Sequence, residues 1–248
     1  MRNTLNITAH SGCDGTDADS IESVIAGIAN GADAVEVDVR FNRRHELILS
    51  HNRDETGEYP LRPRLAEAFE PVLKDSRIGI NCDIKERETV PAVLKLAEKM
   101  GLGPEQLILT GSSVPSMLEQ DREIVKKASL WLNIEEIVGD YFRADAELLE
   151  FFRSVMENGA LQAPAGYYDK LIEPLTANCL RLGVKAVNMP FREAFIPLIP
   201  HFIARGLQVS VWTLNNAEAL KQAVGLGVLN ITTRDTRLAV AIRISPDP

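Results

Sequence analysis

Apolar residues in this chain gather into short runs of strand character, and between them lie longer stretches in which apolar and polar positions alternate with helical spacing. Eight such runs read as strands: "LNITA" (5–9), "AVEVDV" (34–39), "IGINCDI" (78–84), "QLILTG" (106–111), "ASLWLNI" (128–134), "KAVNMP" (185–190), "LQVSVWTL" (207–214) and "LNITT" (229–233). The segments "SIESVIAGIANG", "RLAEAFEPVLKD", "TVPAVLKLAEKMG", "REAFIPLIPHFIARG" and "NAEALKQAVGLG" read as amphipathic helices, several of them stopped by glycine. Eight strands alternating with about as many helices predict an α/β fold, a (β/α)8 TIM barrel. No linker or internal repeat divides it, so residues 1–248 form one domain. A ninth run, "ELILSH", predicts an accessory hairpin strand, and residues 143–182 are longer than one helix requires, which predicts two helices or a helix with a loop over the mouth.

Two of the strands carry charge where a barrel strand is expected to be apolar. In "GADAVEVDVRF" (31–41), Glu36 and Asp38 share one face while Val35, Val37 and Val39 take the other. Like charges side by side in a dry interior repel and resist ionisation unless a cation or hydrogen-bond donors compensate. A half-exposed edge strand with solvated acids is the plain alternative. The next strand repeats the pattern: in "INCDIKE", Asn81, Asp83 and Lys85 share a face and Ile80, Cys82 and Ile84 point to the helices. Active sites of such barrels lie at the carboxyl ends of the strands, so Glu36, Asp38 and Asp83 can converge there. Three carboxylates make a hard oxygen site suited to Mg²⁺ or Ca²⁺ rather than zinc. His10 follows the first strand and His51 follows "ELILS", on the same rim. Two imidazoles beside a divalent ion suit phosphoryl displacement, one taking a proton from the nucleophile and the other supplying one to the leaving oxygen, with Lys85 countering phosphate charge. Taken singly, each has a plainer role: Asp83 and Lys85 as an ion pair, either histidine as a hydrogen-bonded core or surface residue. His45 and His201 are assigned to that plainer role. Trp131, Trp212, Tyr167, Tyr168 and Phe191 are the aromatic candidates for the mouth, with packing the first expectation for Trp212.

Composition narrows the partners. The chain of 248 residues has a formal net charge of -8 and no Lys/Arg run interleaved with aromatics, which argues against nucleic acid. No stretch has the apolar length of a membrane helix, and "MRNTLNITAHSG" lacks a secretory apolar core, so a cytoplasmic location is expected. Cys13, Cys82 and Cys179 are far apart and without metal-finger spacing, as for reduced thiols, with Cys82 in core packing. No glycine-rich phosphate loop supports a flavin, nicotinamide or nucleotide cofactor.

The pieces "AHSG" (9–12), "GADAVEVDV" (31–39), "LSHN" (49–52), "INCDIKE" (80–86) and "VWTLN" (211–215), in that order and nearly end to end, resemble the glycerophosphodiester phosphodiesterase family. The resemblance implies a TIM barrel that uses a divalent metal, Mg²⁺ or Ca²⁺, to hydrolyse a small glycerophosphodiester to glycerol phosphate and an alcohol. It implies that Glu36, Asp38 and Asp83 hold the metal, that His10 and His51 act as acid and base, and that Lys85 contacts the phosphate, with Ser11 and Trp212 on the substrate side. The departures are specific. Ser11 and Ala18 stand where the family has Arg and Glu, so a supporting charge pair is expected to be lost, leaving fewer cations for phosphate. Asp83 replaces a commoner Glu, Asn52 a commoner Asp, and Thr233-Arg234 the family's Thr-Asp. The segment after His51, "NRDETGEYPLRP", is short, which predicts an open cleft. Two alternatives remain: a barrel that binds a phosphodiester without turnover, and a sphingomyelinase-D-like or lyase-type enzyme giving a cyclic phosphate.

Overall fold

A computed structural model describes residues 5–59, 61–112, 115–141, 143, 146–158, 167–193 and 195–244. Its strands are β1 (Asn6–Ala9), β2 (Ala34–Phe41), β3 (Leu47–Leu49), β4 (Gly79–Ile84), β5 (Leu107–Gly111), β6 (Ser129–Asn133), β7 (Ala186–Pro190), β8 (Gln208–Trp212) and β9 (Asn230–Thr233). Its helices are α1 (Ile21–Ala29), α2 (Leu65–Val72), α3 (Val90–Met100), α4 (Pro115–Gln120), α5 (Ile124–Lys127), α6 (Ile134–Tyr141), α7 (Ala146–Asn158), α8 (Tyr167–Leu182), α9 (Leu198–Ala204), α10 (Ala217–Gly225) and α11 (Thr236–Ile244). Eight strands pair in parallel in the order β1-β9-β8-β7-β6-β5-β4-β2, and a β1–β2 pairing closes the ring. The short β3 lies antiparallel to β2 as the expected hairpin strand.

Local chemistry explains most of the boundaries. Ser20 caps α1 by accepting a hydrogen bond from the Ser23 N–H, and Asn216 caps α10 in the same way through Ala219. Gly101 closes α3 with φ +79°, a left-handed conformation that glycine adopts without a β-carbon clash. The helix expected over residues 192–206 is corrected to Leu198–Ala204. Pro197 and Pro200 are the reason, because proline lacks an N–H and is tolerated only in a first turn, which forces the helix to begin beside them. Residues 143–182 hold the two helices α7 and α8, as their length implies.

Odd and even strand positions part company as the barrel requires. Ile80, Cys82 and Ile84 face the helices and are fully buried with the main core, and all three cysteines are buried free thiols. Inside the barrel, Ala34, Ile108, Trp131, Ala186 and Leu229 form a separate small cluster near the amino ends of the strands. The indole of Trp131 fills this lower half and donates to Ser129 Oγ at 3.1 Å, so Trp131 is a plug and not part of the mouth. Phe191, too, is corrected: it packs against the outer core and leaves Pro190 on the inward face. Tyr167 and Tyr168 begin α8, and their side chains lie outside the described residues.

Above the Trp131 plug the interior turns polar. Thr8 Oγ1 donates to Asn230 Oδ1 at 2.7 Å, and Asn230 Nδ2 donates to Ser210 Oγ at 3.0 Å and Thr232 Oγ1 at 3.2 Å. Thr110 Oγ1 donates to Asn81 Oδ1 at 2.9 Å, and Asn188 Nδ2 donates to Asn133 Oδ1 at 2.8 Å. Buried polar groups bonded to one another keep their rotamers, and this layer is the floor on which the site stands.

Candidate active site

The carboxyl ends of the strands enclose a cavity of about 230 Å³. Glu36 and Asp38 enter from β2, Asn81, Asp83 and Lys85 from β4 and its end, and His10 and His51 from the turns after β1 and β3. The strand register places Asp38 directly beside Asp83, and Glu36 one step lower beside Asn81. Oxygens of Glu36, Asp38 and Asp83 lie within 4.8 Å of one another. The edge-strand alternative is thereby excluded, because Glu36 and Asp38 are buried inside the barrel at 7% and 3% exposure.

Burial of three acids sets the electrostatics. Burial first, then the charges of Asp38 and Asp83, push the Glu36 carboxyl well above its ordinary range, against the opposing Ser11 N–H that donates to Glu36 Oε2 at 2.8 Å. Burial likewise pushes Asp38 up to about 6, although Lys85 pulls the other way. Lys85 Nζ sits 2.7 Å from Asp38 Oδ1 and 2.5 Å from Asp83 Oδ2. Burial draws the lysine down, but Asp83 and Asp38 outweigh it and the ammonium is held protonated. One ammonium facing three carboxylates leaves two negative charges uncompensated once all three are ionised. Close, buried, all-oxygen donors with that uncompensated charge fit a hard divalent cation, so the residues present match the metal that the sequence pattern implies.

Gly111 makes this arrangement possible. It pairs with Ile84, has φ +74°, and a β-carbon there would lie 2.3 Å from Asp83 Oδ1 and from the Ile84 carbonyl oxygen. Only the absence of a side chain admits the Asp83 carboxylate.

The histidines are held differently. His10 donates from Nδ1 to the Ser11 carbonyl at 2.9 Å, because a carbonyl can only accept, and Nε2 is left as the ring's acceptor. Burial lowers its proton affinity, the Ser11 bond opposes this, and Arg234 on the rim lowers it further. His51 is 63% exposed, with Nδ1 3.3 Å from the Asp38 carboxylate. Its backbone is fixed on both sides: the N–H donates to Asp19 Oδ2 at 2.9 Å, and Arg40 Nη2 donates to its carbonyl at 3.0 Å.

The two other residues expected on the substrate side are placed differently. Trp212 does line the cavity, and its buried Nε1 has no hydrogen-bond partner among the described residues. Ser11 does not line it; at 2% exposure it faces Asp19, whose N–H donates to Ser11 Oγ at 2.7 Å. A charge pair also stands beside Ser11 where none was expected, Asp19 with Arg62 at 3.5 Å. Thr110, Asn133, Asn188, Thr232 and Glu135 complete the lining and escaped the sequence reading. Glu135 is the most consequential: burial raises its carboxyl to about 7, and its Oε2 has no partner among the described residues. Its signal was available, since Trp131, Asn133 and Glu135 continue one inward face past the end of β6.

Fold and site together define a (β/α)8 barrel with a carboxylate centre, a lysine and two histidines at the carboxyl ends of its strands. Neither a protein-family model nor a curated protein sequence matches the chain. Solved structures do match it over nearly its whole length. A glycerophosphodiester phosphodiesterase from Thermotoga maritima shares 20% identity over 96% of this chain and 98% of its own, with a TM-score of 0.62. One from Parabacteroides distasonis shares 14% over 99% of both chains, with a TM-score of 0.69. A phosphodiesterase from Oleispira antarctica, in complex with the product sn-glycerol-3-phosphate, shares 14% over 98% and 97%, with a TM-score of 0.68. At these identities the likeness establishes the barrel fold. Among the described residues no helix is long and apolar enough to cross a membrane.

Proposed function

We propose that the protein is a divalent-metal-dependent phosphodiesterase that hydrolyses a small glycerophosphodiester to glycerol phosphate and an alcohol. The observation that carries this reading is the meeting of Glu36, Asp38, Asp83, Lys85, His10 and His51 around one cavity at the carboxyl ends of the strands. Similarity to barrels named as glycerophosphodiester phosphodiesterases, and to a phosphodiesterase holding its product sn-glycerol-3-phosphate, supports the same substrate class.

Glu36, Asp38 and Asp83 would hold Mg²⁺ or Ca²⁺. When bound, that ion supplies charge neutralisation for the phosphodiester and its transition state. Lys85 adds a second positive charge, and its links to Asp38 and Asp83 fix the ammonium in the cavity lining. His10, kept toward its neutral form by burial and fixed in one tautomer by Ser11, is suited to accept the proton of the attacking oxygen. His51, whose Nδ1 lies 3.3 Å from the Asp38 carboxylate, takes the complementary role, protonating the leaving oxygen. Trp212, Asn133 and Asn188 form the wall against which the organic part of the substrate lies.

The test is release of glycerol phosphate from a panel of glycerophosphodiesters with Mg²⁺, with Ca²⁺ and with chelator, against Asp38→Ala. Metal-dependent release abolished by the substitution supports the reading. Silence across the panel with a divalent ion still bound would replace it with a binding role.

A further inference from the structure

We propose that Asp19 is a positioning residue that sets the two histidines of the site in register with each other; the inference rests on the phosphodiesterase reading. His10 and His51 come from turns on different strands, and β2 lies between those strands in the sheet. Something must therefore fix one turn against the other.

Asp19 touches both. It is 5% exposed and has φ +57°, the left-handed region that aspartate enters more readily than most residues with a β-carbon. Toward β1 its N–H donates to Ser11 Oγ at 2.7 Å, and its Oδ1 lies 3.5 Å from the same hydroxyl. Toward β3 its Oδ2 accepts the His51 N–H at 2.9 Å, with Arg62 Nη1 at 3.5 Å from that oxygen as its counterion. Ser11 carries the link to the other ring, because its carbonyl accepts the His10 Nδ1–H and its N–H donates to Glu36 Oε2. Asp19 thus joins the two turns, its backbone N–H and Oδ1 meeting the Ser11 hydroxyl on one side and its Oδ2 holding the His51 backbone on the other. The exposed His51 ring has little packing of its own, so its placement depends on how that backbone is held. A displacement of about 1 Å in a reacting group can cost about a hundredfold in rate, which gives such a tether kinetic weight.

The experiment compares Asp19→Asn and Asp19→Ala with the wild type on the best substrate of the panel. The expected result is a 10- to 100-fold fall in kcat for Asp19→Ala, with KM and divalent-ion affinity within threefold of wild type. Asp19→Asn, which keeps an acceptor for the His51 N–H, should recover part of the loss. A kcat within twofold of wild type, equal losses in the two variants, or parallel losses of kcat and metal affinity would overturn the proposal. A readout free of turnover separates this from failure of the phosphodiesterase reading: Asp19→Ala should shift the His51 amide and ring resonances in the NMR spectrum of folded protein. Unshifted His51 resonances refute the tether whether or not the wild type turns over any diester.

Discussion

Replacing Asp38 by asparagine should make the metal-free protein more stable, although it removes a side chain at the centre of the site. The Asp38 carboxyl is raised from 3.8 to about 6, chiefly by burial, with Asp83 and Asp19 adding to the rise and Lys85 opposing it. A rise of about two units means that ionising Asp38 in the folded chain costs about 3 kcal/mol more than in the unfolded one. That figure already contains the attraction of Lys85, since the shift is the balance between burial and its neighbours. The sign follows: an acid with a raised folded pKa withdraws stability as pH rises from about 4 to about 6, and the loss is complete above that window. Asparagine resembles the protonated acid in shape, so at pH 7.5 in chelator Asp38→Asn should gain about 2–3 kcal/mol. For a chain of this size that is a rise in Tm of about 4–12 °C. Thermal unfolding followed by circular dichroism, for both proteins from pH 4 to pH 8, reads the difference directly. It should grow between pH 4 and 6 and then stay level. Adding divalent ion at about 100 times Kd should stabilise the wild type by about 2.7 kcal/mol and the variant by much less, closing the gap. A variant less stable than wild type in chelator at pH 7.5, or a difference that shrinks between pH 4 and 6, would refute the electrostatic account.

Other outcomes follow from the same geometry. His10→Ala and His51→Ala should each lower turnover by about 10²–10⁴-fold while keeping the metal-induced rise in Tm, a pairing read by kinetics and thermal shift on one preparation. Gly111→Ala should abolish that rise, because its β-carbon meets Asp83 Oδ1 at 2.3 Å, and an unchanged metal response would remove Gly111 from the account. Trp131→Ala empties the lower barrel and should cost about 3–5 kcal/mol in denaturant unfolding, with loss of activity following only from loss of folded protein.

The barrel and its carboxylate centre were legible because both depend on period-two alternation within single strands. Glu36 with Asp38, and Asp83 with Lys85, announce a shared face without any knowledge of what lies opposite. What escaped the reading depends on contacts between distant segments. Asp19 and Arg62 are 43 residues apart, and nothing local tells that one will neutralise the other. Ser11 follows a catalytic-looking histidine and so reads as a substrate contact, yet its hydroxyl is buried against Asp19, away from the cavity. Phe191 and Trp131 show the limit from the other side: strand parity puts Trp131 in the barrel, but only the strand's height in the barrel tells that it is a floor plug rather than a mouth residue.

The height of Trp131 also explains how a barrel can carry such a site. Apolar side chains seal the interior below, while above them Thr8, Asn81, Thr110, Ser210 and Asn230 are buried and satisfied by one another. Bonded in this way, they need no water and leave no loose dipole to screen the carboxylates. Glu36, Asp38 and Asp83 therefore face one another with Lys85 as their close cation, an electrostatic strain that a bound dication would relieve. A softer, water-filled floor would relieve that strain and with it the preference for a doubly charged ion. The polar layer thus lets barrel packing hold a carboxylate cluster fit for a cation, which is why the two acids that look misplaced in "AVEVDV" belong to a core strand.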